Sequence, residues 1–382
     1  MRKLILPLGG ARVFATLAFA ATLIFTGCAN NRPPAVKSSA KYRVIAYSMG
    51  RADFSRIHPE KLTHINYAFG LVSTNGEAFI GSNAPAHLAQ LQALKAKNSN
   101  LKVILSIGGW GANNFSDAAL TDNSRRRFAE SCVRILKQFA LDGIDIDWEY
   151  PGQPGPGIKF RAEDKENFTA MLRELRTQLD TLSDARRRTG LERYTLTIAS
   201  AGGNYFAHTE MDKLHAYLDW VNIMTYDFYG SFSGPGHLAG LYDPIGVSGH
   251  RTTESDVKDH LRAGIPPNKL VVGAAFYAKA WTNVTSLNPP AGGKFSRSFS
   301  YSLLSKSVLD DKAYEHRWDE AAEASYLWNP ASKTFISYED PRALKAKCDF
   351  AKAHRLGGVM YWEYSDDPDE VLLDVLAREL KR

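Results

Sequence analysis

The sequence predicts an α/β fold: a closed (β/α)8 barrel with a small α+β insertion between its seventh strand and seventh helix. Three observations lead there. Eight short runs rich in Val, Ile and aromatic residues recur along the chain, and helix-patterned stretches fill most of the gaps between them. No Gly-rich phosphate loop follows the first run, as an open doubly wound sheet would usually have. Such a series of parallel βαβ units closes into a TIM barrel. With 382 residues, 44% apolar and 23% charged, the composition is globular and excludes disordered and fibrous classes.

The chain opens on a segment that does not belong to the barrel. Arg2, Lys3 and Arg12 accompany an apolar run, VFATLAFAATLIFT at 13–26. That run is shorter than the roughly 20 residues a membrane helix needs, and 1–27 reads as a secretory signal peptide. The stretch IFTGCAN resembles a bacterial lipobox, with small residues Thr26 and Gly27 before Cys28. The resemblance implies that Cys28 becomes a lipidated N-terminus on an exported protein, periplasmic or at the cell surface. Ordinary cleavage near Ala29 would instead release the chain. Residues 28–41 are polar, contain Pro33 and Pro34 and lack periodicity, as a tether would. Removing 1–27 takes away three positive charges and no acids, so the formal charge falls from +6 to +3. No basic stripe interleaved with aromatics is present, and nucleic acid is not an expected partner.

The expected barrel strands are 42–49, 62–70, 101–109, 142–150, 194–201, 218–227, 269–277 and 357–364. Helical patterns cover roughly 84–97, 123–140, 163–182, 253–263, 341–355 and 369–381, with TESD at 253–256 fitting a capping box. The seventh unit is irregular. About 60 residues with scattered aromatics separate Tyr277 from Pro341, too many for a structureless loop in a compact domain. The barrel is therefore expected over 42–278 and 337–382, and the insertion over 279–336. Cys132 and Cys348 fall on helices on opposite sides of such a barrel, beyond the ~7 Å that a disulfide can bridge. Two free, buried thiols are expected.

The most informative run is DGIDIDWEYP at 142–151. Side chains alternate along a strand, so Asp145, Asp147 and Glu149 share one face while Ile144, Ile146 and Trp148 share the other. In a barrel the acids point inward, with Glu149 last, at the C-terminal mouth where barrel enzymes keep their chemistry. Few Lys or Arg lie within the expected strands to neutralise them. Same-face neighbours about 6.5 Å apart repel by roughly 2.5 kcal/mol at an effective dielectric of ~20, close to two pKa units. At least one of the three should keep a proton near neutral pH, as a general acid must.

Asp142, Asp145, Asp147 and Glu149 also occupy the four places of the DxxDxDxE signature, and the chain resembles glycoside hydrolase family 18, the chitinase family. SIGGW (106–110), MTYD (224–227), MYWEY (360–364) and INYAF (65–69) match further marks of that family, over about Tyr42 to Pro368. The resemblance implies a chitinase that cleaves β-1,4 linkages between N-acetylglucosamine units of chitin or chitooligosaccharides with retention. It implies substrate-assisted catalysis, an exception to the two-carboxylate scheme of most glycosidases. Glu149 would be the acid, Asp147 would hold the substrate acetamide, Asp145 would share a proton with Asp147, and Tyr226 would bond the acetamide oxygen. Trp362, Trp110, Gly109, Tyr150, Met224, Asp227, Tyr47 and Phe69 would bind sugar. Asp142 is expected to support the start of the strand. No metal or organic cofactor is implied, and a monomer is expected. Alternative readings are a weakly catalytic chitin lectin, or an endo-β-N-acetylglucosaminidase acting on N-glycans or peptidoglycan. At one point the chain departs from the family: Tyr277, Ala278 and Lys279 stand where YGR is common. Lysine keeps the charge but loses the planar fork of arginine, so Lys279 is given no place in the catalytic set.

Overall fold

The computed structural model describes residues 41–244 and 246–381. The leader expected over 1–27, the lipidation candidate Cys28 and the tether over 28–41, Lys41 excepted, lie outside the described residues. The barrel opens with β1 (Arg43–Met49) and β2 (His64–Val72), and β2 carries a short antiparallel addition, β3 (Ala78–Ile80). β4 (Lys102–Gly108), β5 (Gly143–Asp147), β6 (Thr195–Ser200), β7 (Trp220–Ile223) and β8 (Leu270–Ala275) follow. A second, antiparallel sheet comes next: β9 (Tyr277–Leu287), β10 (Pro290–Ser300), β11 (Glu315–Asp319), β12 (Ala324–Asn329) and β13 (Thr334–Tyr338). Its order is β10-β9-β13-β12-β11. The last barrel strand is β14 (Gly358–Trp362). β1 pairs in parallel with β14 on one side and β2 on the other, so eight parallel strands close a ring.

Ten helices are described: α1 (Ala84–Ala93), α2 (Phe115–Ala119), α3 (Asp122–Gln138), α4 (Asp164–Ala185), α5 (Asn204–Ala207), α6 (Met211–Leu214), α7 (Thr253–Arg262), α8 (Tyr301–Ser307), α9 (Pro341–Ala353) and α10 (Val371–Leu380). Every residue of β5 and β8 is buried, which is why the barrel strands read as near-continuous apolar runs. On the outward face of the acidic segment, Trp148 stacks on Phe115 of α2, with centroids 5.4 Å apart, and meets Phe168 of α4 edge-on. Asp142 ties down the start of β5. Its carboxylate accepts from the Val103 amide at 2.8 Å and pairs with Lys95 at 2.6 Å.

Two expectations change in detail. The capping box of α7 is closed by Thr252 and Ser255, one residue before the expected TESD pair, because Thr252 holds the extended backbone a cap requires. The Thr253 hydroxyl is instead buried without a partner. The acidic strand ends at Asp147, so Trp148 and Glu149 belong to the loop that leaves it. Cys132 and Cys348 are free and buried, and burial pushes the Cys348 thiol up to about 12. The antiparallel sheet has a small core of its own around Trp281, Val284, Tyr326 and Phe335. Its first strand begins at Tyr277, two residues before the expected start of the insertion.

One glycine is required by the packing at the mouth. Gly108 has φ +127°, and a Cβ there would sit 1.9 Å from the Asp147 carbonyl oxygen. Gly108→Ala should therefore destabilise the fold by about 2 kcal/mol or more. A urea denaturation midpoint unchanged from wild type would contradict this.

Candidate active site

Barrel register decides what surrounds each acid. Asp145 stands opposite Ser106 of β4 and Thr197 of β6, and residues in register on adjacent parallel strands face the same way. Both therefore turn inward with it. Ser106 Oγ donates to Oδ2 at 2.7 Å and Thr197 Oγ1 donates to Oδ1 at 2.5 Å. From further round the ring, the Tyr47 hydroxyl of β1 donates to Oδ2 at 2.8 Å, and Asn222 of β7 to Oδ1 at 3.3 Å. Asp145 is thus fully buried with both oxygens filled. Burial raises its pKa, and these four donors pull it down. No hydrogen bond joins it to Asp147, so the proton expected to lie between them has no direct path in this arrangement.

Asp147 is different. It faces Gly108, which has no side chain to cover it, and its Oδ1 is buried with no hydrogen-bond partner. Burial, then the charges of Glu149 and Asp145, hold its pKa well above the usual carboxylate range. An orphaned buried acceptor costs about 1–3 kcal/mol, so this oxygen is short of a donor. Glu149 follows two residues later. Burial raises its pKa to about 7, helped by the charge of Asp227 and opposed by a hydrogen bond from Tyr150. Among the described residues, no Lys or Arg lies within salt-bridge distance of Asp145, Asp147 or Glu149. For all three acids burial is the largest cause of the shift, ahead of the mutual repulsion that their spacing predicts.

Above the acids lies a cleft of about 1270 Å³. Glu149, Asp147 and Tyr226 line it, as do Trp362, Trp110, Gly109, Tyr150, Met224, Asp227, Tyr47 and Phe69. Asp145 alone of the sequence-expected set lies below it. Trp362 and Phe69 stack as a pair, centroids 5.6 Å apart and 20° from parallel. Trp110 is 67% exposed and stands edge-on to Tyr150. Tyr47 has two parts: its ring is core, and its hydroxyl holds Asp145. The Gly109 amide donates to the Asp147 carbonyl at 2.9 Å, and a Cβ there would strike the Phe69 ring.

Sequence reasoning missed several residues of the cleft. Lys279, set aside for lacking the arginine fork, is buried in the wall with Nζ 2.5 Å from Asp227 Oδ1. The same oxygen accepts from the Tyr277 hydroxyl at 2.6 Å. A point charge is enough where one oxygen is the target. Phe232, Arg251, Arg51 and Asp366 also line the cleft; the first three sit in loops and Asp366 ends a single 3-10 turn, Tyr364–Asp366, and none of these segments carries a periodic signal.

A closed parallel barrel with buried acids and open aromatic faces gathered at one mouth is the framework of a glycoside hydrolase. The chain belongs to glycosyl hydrolases family 18, whose family model matches residues 41–367. It is 33% identical to Chitinase A1 of Niallia circulans over 91% of this chain and 60% of that protein. Among solved structures, it matches chitinase ChiW from Paenibacillus sp. str. FPU-7 with TM-score 0.82 and 37% identity, covering 89% of this chain and 43% of that one. It also matches a family 18 N-acetylglucosaminidase from Paenibacillus barengoltzii, with TM-score 0.80 and 38% identity, over 89% of this chain and all of that one. The chain thus spans less than two thirds of Chitinase A1 and less than half of ChiW.

The raised Glu149 carboxyl has a consequence for stability. The folded state holds its proton up to about pH 7 and the unfolded chain only to about 4.5. The folded state therefore binds more protons between these values, and stability falls as pH rises through that window. The separation is worth about 3 kcal/mol. Glu149→Gln removes this loss, so the variant should gain stability over wild type at pH 8 but not at pH 4. Equal thermal midpoints for the two proteins at pH 8 would refute the shift.

Proposed function

We propose that this protein is a chitinase, a retaining hydrolase of β-1,4 linkages between N-acetylglucosamine units that uses the substrate's own acetamide as nucleophile. The observation that carries the reading is the unpartnered, buried Oδ1 of Asp147 next to an acid whose carboxyl is pushed up to about 7. An acetamide N–H supplies the donor that this oxygen lacks. Held there, the acetamide carbonyl attacks the anomeric carbon while Glu149 gives its proton to the glycosidic oxygen. The leaving sugar departs as an alcohol, and an oxazolinium ion forms. Glu149, now a carboxylate, takes a proton from the water that opens the ring, so the starting configuration returns. Tyr226 bonds the acetamide oxygen. Asp145, fixed by its four donors, holds the base of the site beneath Asp147. Trp362 and Phe69 form an aromatic floor for the reacting sugar, and Trp110 a platform for the leaving portion.

The relatives named chitinase support this substrate, and the acids argue against a lectin, since nothing in the reaction scheme is missing. A second reading concerns the cutting pattern. The family 18 N-acetylglucosaminidase matched over its whole length favours release of single N-acetylglucosamine units over disaccharides. Export with lipidation at Cys28 belongs to the same proposal, supported by the lipobox-like run before it. A diacylglyceryl adduct on Cys28 in membrane fractions is its check, and an unmodified N-terminus beyond Ala29 would count against it.

Chitohexaose distinguishes these readings. Early products of β configuration are expected, disaccharide in the first reading and monosaccharide in the second. The rate should fall as pH rises through about 7, where Glu149 loses its proton. Glu149→Gln should lower turnover by about 10²–10⁴-fold while oligosaccharide binding persists. Early α products, or a Gln variant of undiminished rate, would overturn the mechanism.

A further inference from the structure

The ring of strands runs β1, β2, β4, β5, β6, β7, β8, β14, which sets β14 diametrically opposite β5. A sugar chain reaching from Glu149, beyond β5, over Trp362 at the end of β14 must continue across the loops that leave β14 and β1. The first of these loops carries Asp366, four residues past Trp362, and the second carries Arg51. Both side chains line the cleft.

The two differ in what they have left to offer. Arg51 is committed: Nε and Nη2 both donate to Oε1 of Glu363, at 3.1 and 2.8 Å, and Glu363 is fully buried. Asp366 is not committed. Among the described residues its carboxylate makes no hydrogen bond, and its one ion-pair partner, Arg51 Nη2, stands 3.9 Å away. Yet its side chain is only 18% exposed. On this wall one guanidinium meets two carboxyls, and it sits on Glu363, so Asp366 is left without a close cation. Burial and the Glu363 charge push the Asp366 carboxyl up to about 7, against the pull of Arg51. An acid so placed gains from a cation, and an anionic substituent would meet net repulsion.

We propose that Asp366 is a specificity-determining residue that pairs with the ammonium of a glucosamine unit, making partially N-deacetylated chitooligosaccharides the preferred substrate class. The proposal rests on the chitinase reading and deepens it. The unit beside Glu149 must keep its N-acetyl group, because that group is the nucleophile. The selection for a free amine acts one or two units further along the glycone, where no chemistry occurs. An acetamide there brings one N–H and no charge, whereas an ammonium brings three donors and the missing positive charge.

The test is a digest of chitosan of intermediate acetylation by the full chain, with products sequenced by tandem mass spectrometry after reducing-end labelling. Glucosamine should be enriched about five-fold over its frequency in the polymer, at the second or third unit from the new reducing end, the size of one partly screened ion pair. Asp366→Asn should abolish that enrichment. The readout is a ratio within one digest, so a change in overall rate does not blur it. On the wild-type protein, the enrichment should also shrink in high salt, which keeps the proposal testable if the variant fails to fold. Random sequences from wild type, enrichment that survives Asp366→Asn, or enrichment indifferent to salt would overturn it, while cleavage of chitohexaose would still uphold the chitinase reading. No cleavage of either substrate overturns both.

Discussion

The site depends on keeping a row of carboxyls dry without giving them a cation. A salt bridge to Asp147 or Glu149 would stabilise the charged form and remove the proton the chemistry needs. The barrel instead anchors the deepest acid with neutral donors and leaves the other two to burial. Asp145 takes hydroxyls from β1, β4 and β6 and an amide from β7. The next acid up, Asp147, receives no such bonds. The strand therefore carries a gradient along one face, from a carboxyl whose burial is opposed by four donors to one left to burial and its neighbours' charges.

Closure of the ring makes that gradient possible. In an open sheet, β1 and β7 would lie too far from β5 to reach Asp145. In the ring they meet on the axis, and Asn222 also bonds Tyr47 at 3.1 Å, so the donors orient one another. Gly108 matters for the opposite reason. It adds nothing beside Asp147, which keeps that carboxyl open to the cleft above it.

How much of this was legible in the sequence depends on how local each cause is. Period-two alternation is local, so the inward face of DGIDIDWE could be read without a structure. The same holds for the eight strands, whose apolar runs report burial on both sides. The donors to Asp145 were not legible, since a Ser, a Thr, an Asn and a Tyr on four strands are unremarkable until register aligns them. The size of the burial effect was also out of reach, because it depends on how tightly the mouth is covered, whereas repulsion can be read from spacing alone. Lys279 shows the reverse error. Comparing side-chain shapes discounted it, but the fork of arginine matters for gripping two oxygens, and Asp227 offers one.

That lysine also changes what the second sheet contributes. A passive wall would need only bulk and apolar surface, yet β9 leaves β8 after a single residue and carries Lys279 into the cleft on its third position. There the ammonium meets Asp227, whose charge is one of the causes raising Glu149. Withdrawing the cation would leave Asp227 unpaired except for the Tyr277 hydroxyl, itself on β9. Both contacts come from the first three residues of one strand. The sheet added between the seventh strand and its helix is therefore part of the electrostatics of the acid, through Asp227, as well as a boundary of the groove.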